Sequence, residues 1–196
     1  MNKLPKIIAV SKTFNLDKIL PLIDYGHEDF GENKVQEALD KWSEIKDKKK
    51  NIKLHMIGKL QTNKVKFAVK IFDYIHSVDN EKLANKISVE QGKIKKKIKI
   101  FIQVNIGDEN QKSGVNKSNV ESLVRYCKEL NLNVLGLMCI PPVSTDPSMY
   151  FEEMIKLTKT CNFQELSMGM SADFLKAAKY NSTYLRIGSN IFGERF

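Results

Sequence analysis

The strongest constraint on this chain is a hydrophobic pattern that switches period again and again. Short apolar runs with strand character recur along its length, and stretches with helical spacing lie between them. The runs are residues 6–11 (KIIAVS), 29–31 (DFG), 53–57 (KLHMI), 73–77 (DYIHS), 98–105 (IKIFIQVN), 133–138 (NVLGLM), 164–167 (QELS) and 184–187 (YLRI). The helical stretches are 17–25, 34–46, 62–71, 80–91, 117–130, 147–160 and 172–179, and the last eight residues suit one closing turn. Parallel strands need long crossovers, so strict alternation of this kind points to a parallel sheet. Eight units in 196 residues predict one α/β domain over 1–196, a closed (β/α)8 barrel of the TIM type. If the two weakest runs, 29–31 and 164–167, were not strands, a six-stranded open sheet would remain.

Composition narrows the function classes. Hydrophobic residues make up 42% of the chain, enough for a packed core, yet no run of eighteen apolar residues exists to span a membrane. The opening MNKLPKIIAVSK lacks the features of a secretory leader. The cysteines, Cys127, Cys139 and Cys161, are odd in number and lack metal-ligand spacing. Reduced thiols in a cytoplasmic protein are therefore expected, and no metal site. The net charge of +9 is concentrated in two lysine-rich runs, 46–53 and 93–99. Such charge attracts phosphate backbones. Neither run is interleaved with stacking aromatics, so both read as solvated helix ends and loops. Neither nucleic acid nor a membrane is an expected partner.

The residues with chemical potential cluster after strand ends, which in a barrel form one face. Lys12 follows the apolar run 7–10 and shares strand parity with Ile8 and Val10. An amine in an apolar wall loses hydration, its pKa falls, and the neutral form can make a Schiff base with an aldehyde. By position alone, a surface lysine past a strand end is the better explanation of Lys12. Two small-residue loops add to the case. Ser171 ends SMGMS before a helical stretch, and Gly188 and Ser189 follow Arg186 in RIGS. Loops after strands seven and eight of barrels commonly bind phosphate, and glycine allows close backbone approach. Closure sets strand eight beside strand one, so an amine, a phosphate cradle and an arginine would share one mouth. That set describes a pyridoxal 5′-phosphate (PLP) site, or equally a Schiff-base aldolase for a sugar phosphate. Asn33 suits either a ligand contact or the cap of the following helix. His55 and His76 lie in apolar runs and read as core residues, and His27 as a loop residue.

Seven segments carry a resemblance: IIAVSKT (7–13), DFGENKVQEALDKW (29–42), HMIGKLQTNKVK (55–66), VNIGDENQKSGV (104–115), GLMCIPP (136–142), ELSMGMSADF (165–174) and NSTYLRIGSNIFGERF (181–196). In this order and over nearly the whole chain, they resemble the pyridoxal phosphate homeostasis proteins, whose fold is similar to the barrel domain of bacterial alanine racemase. The resemblance implies PLP as cofactor, held as a Schiff base on Lys12. It implies that Ser171, Gly188 and Ser189 hold the phosphate, that Asn33 lines the ring pocket, and that Arg186 faces the pyridine nitrogen. It implies a monomeric carrier, buffer or donor of the cofactor, with apo PLP-dependent enzymes as recipients and no catalytic residues of its own. The alternative is a small PLP enzyme such as a racemase or lyase. The family usually has a helix before the first strand, and only five residues precede Lys6 here. Asn181 stands where a glycine is common, and asparagine tolerates the left-handed backbone that the turn requires. Lys59, in HMIGKLQ, is a further departure.

Overall fold

All eight apolar runs form strands, the short second and seventh included. They are β1 (Lys6–Val10), β2 (Asp29–Glu32), β3 (Lys53–Met56), β4 (Tyr74–Val78), β5 (Lys99–Val104), β6 (Asn133–Cys139), β7 (Glu165–Met170) and β8 (Tyr184–Ile187). The computed structural model describes residues 4–109, 111–143 and 145–194. Every strand pairs in parallel with its neighbour in sequence, and β1 pairs with β8, so the sheet closes into a barrel. This excludes the open sheet. The helices are α1 (Leu16–Asp24), α2 (Val35–Lys48), α3 (Val65–Ile71), α4 (Glu81–Lys93), α5 (Val120–Glu129), α6 (Ser148–Thr160), α7 (Phe174–Lys179) and α8 (Ser189–Phe192). The stretches 62–71 and 117–130 each begin with a 3-10 turn, Thr62–Lys64 and Lys117–Asn119, before the α-helix sets in. The seventh helix starts at Phe174, so Ser171 sits in the turn ahead of it.

Strand alternation divides the apolar side chains between two cores. Ile8, Tyr74, Phe101, Met138 and Tyr184 meet inside the barrel. Their neighbours face outward and pack under the helices, as Phe30 does against the fully buried Trp42 of α2, with ring centroids 4.8 Å apart. Two glycines are needed where backbones crowd. A Cβ on Gly136 would lie 1.8 Å from the Glu165 carbonyl oxygen, so β6 and β7 approach closely only because residue 136 has none. Gly169, with φ +93°, sits in the register shift of β7 between Ser167 and Met170. Asn181 adopts φ 59°, so the left-handed turn before β8 survives without glycine.

The lysine-rich runs line the N-terminal end of the barrel and are largely paired there. Lys49 meets Asp24 at 2.9 Å, Lys53 meets Glu28 at 2.7 Å and Lys93 meets Glu90 at 2.9 Å. Lys46 and Lys96 both pair with Asp73. Cys127, Cys139 and Cys161 are buried free thiols, and burial pushes Cys127 and Cys139 up to about 12. Among the described residues, no helix is long and apolar enough to cross a membrane.

Candidate functional site at the barrel mouth

Lys12 is placed by a brace built from the outside of the barrel. Past the end of β1, the Ser11 N–H donates to the Gly31 carbonyl at 3.0 Å, which carries the β1–β2 ladder one step further. The Ser11 hydroxyl donates to Glu32 Oε1 at 2.8 Å, and Lys41 Nζ donates to the Ser11 carbonyl at 2.9 Å. Glu32 is fully buried. Its Oε1 also accepts from Lys41 Nζ at 3.0 Å and from Trp42 Nε1 at 2.9 Å, while Oε2 is buried without a hydrogen-bond partner. Thr13, the next turn residue, has φ 68°. That conformation is an outlier for a β-branched side chain and costs on the order of 1–3 kcal/mol. The turn is held by the Thr13 N–H, which donates to Glu37 Oε1 at 2.6 Å. Burial pushes the Glu37 carboxyl up, but the bonds from Thr13 and Lys41 outweigh it and leave it below its usual range. Lys12 keeps the parity of Ile8 and Val10, whose methyl groups surround the space that a Cβ on Gly31 would fill.

Of the remaining candidates, Arg186 lies on β8 and the others lie just past the ends of β2, β7 and β8; β2 and β8 flank β1 in the closed sheet, and β7 is the next strand beyond β8. The β1–β8 register runs from Lys6 against Tyr184 to Ala9 against Ile187. Gly188 therefore comes to rest beside Val10, and a Cβ there would sit 3.4 Å from the Val10 Cβ. Ser171 Oγ accepts the Gly188 N–H at 3.1 Å, tying the loop after β7 to the loop after β8. The hydroxyl proton of Ser171 remains available to an anion. Ser189 is exposed next to this tie. Arg186 is buried inside the barrel, where it donates to Ser167 Oγ at 2.6 Å and to the Cys139 carbonyl at 2.8 Å. Burial lowers its pKa, yet a guanidinium remains protonated.

For Asn33 the structure removes one of the two alternatives. It does not cap α2, whose N-cap is Lys34 with no side-chain cap bond. Instead Asn33 Oδ1 is buried without a hydrogen-bond partner. An orphaned buried acceptor costs about 1–3 kcal/mol, which is tolerable where a ligand supplies the missing donor. Glycine at 58 makes room for this arrangement, since a Cβ there would lie 2.5 Å from the Asn33 carbonyl oxygen. Lys59, with Lys34 and Lys64, lines an adjacent cavity of about 360 Å³.

The structure thus brings Lys12, Asn33, Ser171, Gly188 and Ser189 to the C-terminal end of the barrel, with Arg186 just inside it. The match to known proteins covers the same ground. Residues 1–195 fit the family model for the alanine racemase N-terminal domain. The pyridoxal phosphate homeostasis protein of Aquifex aeolicus is 38% identical over 97% of this chain and 87% of its own length. The chain belongs to the pyridoxal phosphate homeostasis protein family. PipY of Synechococcus elongatus, solved with PLP bound, superposes with a TM-score of 0.90 at 31% identity, covering 98% of this chain and 94% of that one. Alanine racemase of Clostridium difficile shares the fold at 14% identity and a TM-score of 0.77, and this chain spans 54% of it. Within the homeostasis family, the residues that sequence reasoning missed are those beneath the mouth. They are the brace of Glu32, Lys41 and Trp42, and the interior Ser167. The acid at a strand end followed by Glu37 and Lys41 at helical spacing was the available signal for the brace.

Proposed function

We propose that this chain is a one-domain cytoplasmic PLP carrier that binds the cofactor at the barrel mouth and buffers or delivers it, as a monomer, to apo PLP-dependent enzymes. The observation that carries this reading is the convergence on one barrel end of the Lys12 turn, the tied Ser171–Gly188 loops and the buried Arg186. The orphaned Asn33 acceptor fits a ligand there. When bound, PLP supplies an aldehyde that an amine can attack. Lys12 is the attachment point, as a Schiff base. Ser171, Gly188 and Ser189 hold the phosphate, Asn33 lines the ring pocket and Arg186 faces the pyridine nitrogen. The test is a PLP titration of the purified chain followed by visible absorbance. A saturable yellow complex is expected, and a colourless protein at saturating PLP would overturn the proposal.

The phosphate assignment makes a separate prediction. Ser171→Ala and Ser189→Ala should each weaken PLP binding while the chain stays folded. A hydrogen bond to a charged group contributes about 1.5–3 kcal/mol, which corresponds to roughly a ten- to hundredfold loss of affinity. Unchanged affinity in both variants would remove these residues from the site.

The non-enzymatic part of the reading rests on what surrounds the amine. Racemisation needs a proton-transfer group on each face of the substrate carbon. The three histidines all lie elsewhere: His27 bonds the Asp29 carbonyl, and His55 and His76 are buried and bonded inside the barrel. A guanidinium beside the ring nitrogen disfavours its protonation and weakens the ring as an electron sink. Amino acids offered to the PLP-loaded chain should show negligible inversion, transamination or decarboxylation. Turnover on the order of 1 s⁻¹ or faster, as in ordinary enzymes, would favour the small-enzyme reading.

A further inference from the structure

Arg186 is one end of a line of hydrogen bonds through the inside of the barrel. Its Nη1 donates to Ser167 Oγ at 2.6 Å, and Ser167 Oγ lies 2.9 Å from His76 Nδ1. His76 Nε2 lies 3.0 Å from His55 Nδ1, and His55 Nε2 lies 2.9 Å from Asp29 Oδ1. The line joins strands β8, β7, β4, β3 and β2, with directly bonded neighbours up to 91 positions apart in sequence. His55 stacks on Tyr74 at 4.1 Å and His76 on Phe101 at 4.4 Å, so both rings are fixed in plane as well as by their nitrogens.

The two ends dictate the direction of every bond. A guanidinium only donates and a carboxylate only accepts. Ser167 Oγ receives from Arg186, so its own proton goes to His76 Nδ1. That nitrogen is then an acceptor, and the proton of His76 sits on Nε2. His55 Nδ1 accepts it, and the proton of His55 sits on Nε2 and reaches Asp29. The opposite polarity would need a protonated Asp29 and would leave the Ser167 hydroxyl proton without an acceptor in the line. Burial raises the Asp29 pKa, but the bond from His55 and the positive charges of Lys53 and Lys6 together outweigh it, so the carboxylate form is held. Burial is the main cause that lowers both histidines, His76 well below its ordinary value, so both rings are neutral. Two neutral imidazoles so ordered align their dipoles between a buried cation and a carboxylate. Among the described residues no group of three or more His, Cys, Asp or Glu side chains converges as a metal site.

We propose that Asp29, His55, His76 and Ser167 are positioning residues for Arg186, forming one directional hydrogen-bond chain that fixes the guanidinium at the mouth from the opposite end of the barrel. The link to a cofactor rests on the functional reading above, whereas the chain itself does not. Its consequence is action at a distance: removing the charge of Asp29 alters Arg186 only while Ser167 connects them.

The test uses the full chain without cofactor, labelled with ¹⁵N in histidine and arginine. The spectra at neutral pH are expected to show His55 and His76 neutral, each protonated on Nε2. Asp29→Asn should shift the Arg186 side-chain resonance, and that shift should vanish in the Ser167→Ala background. A proton on Nδ1 of either ring, an imidazolium, or an equal Asp29→Asn shift with and without Ser167 overturns the proposal. In the PLP-loaded chain, the same two variants should move the visible absorption band non-additively. Additive movement would show that the chain does not set Arg186 toward the cofactor. Absence of any band would defeat the carrier reading alone, because the cofactor-free spectra decide the chain separately.

Discussion

Replacing Lys12 with alanine is expected to abolish the yellow complex and the borohydride-reducible linkage while leaving the chain folded. Lys12 lies in a turn beyond β1, and the Ser11 backbone and hydroxyl, the Thr13 N–H and the side chains of Glu32, Glu37 and Lys41 brace this turn. Alanine at 12 removes the amine chemistry and leaves these bonds of Ser11, Thr13, Glu32, Glu37 and Lys41 in place. Contacts to the phosphate remain, so the variant should still bind PLP weakly and reversibly, with the absorbance of the free aldehyde. Circular dichroism and thermal unfolding check the fold, and a difference spectrum checks the linkage. A Lys12→Ala protein that kept a reducible linkage would place the attachment on another amine.

Glu32→Leu should produce the largest loss of stability. The carboxylate is fully buried and its Oε1 gathers the Ser11 hydroxyl, the Lys41 ammonium and the Trp42 indole N–H. Leucine leaves the hydroxyl and the indole N–H without this acceptor and deprives a largely buried ammonium of one of its two carboxylates. Removing one partner of a buried ion pair costs about 3–5 kcal/mol. For a chain of this size each kcal/mol lowers Tm by about 2–4 °C, so a fall of roughly 6–20 °C is expected. Glu32→Gln keeps the shape and one acceptor oxygen and should lose clearly less. Because Ser11 immediately precedes Lys12, Glu32→Leu should also loosen the site. A Tm within about 2 °C of the parent would contradict the brace.

How much of this was legible in the sequence follows from which distances each feature spans. The strands were legible because a period of two is local, and even the short DFG and QELS runs were marked by their helical flanks. The parity that groups Lys12 with Ile8 and Val10 is local too. Asn33 stayed open between a ligand contact and a cap because asparagine before a helix usually is a cap. The chain instead places Lys34 at the cap and leaves the Asn33 acceptor buried. His55 and His76 looked like ordinary core residues, and Ser167 like no more than the end of a short strand. Their alignment depends on closure of the barrel and on the register shift in β7 between Ser167 and Met170, neither of which a local pattern encodes. The Glu32 brace needed the knowledge that this carboxylate turns outward under α2 rather than to solvent, which packing decides.

The central claim is that this barrel holds PLP on one particular lysine. The most direct measurement is reduction of the PLP-loaded full chain with borohydride, digestion and mass mapping of the phosphopyridoxyl group. The account predicts a single major adduct on Lys12. An adduct on another lysine, or label spread over the surface lysines with no preference for Lys12, would contradict it.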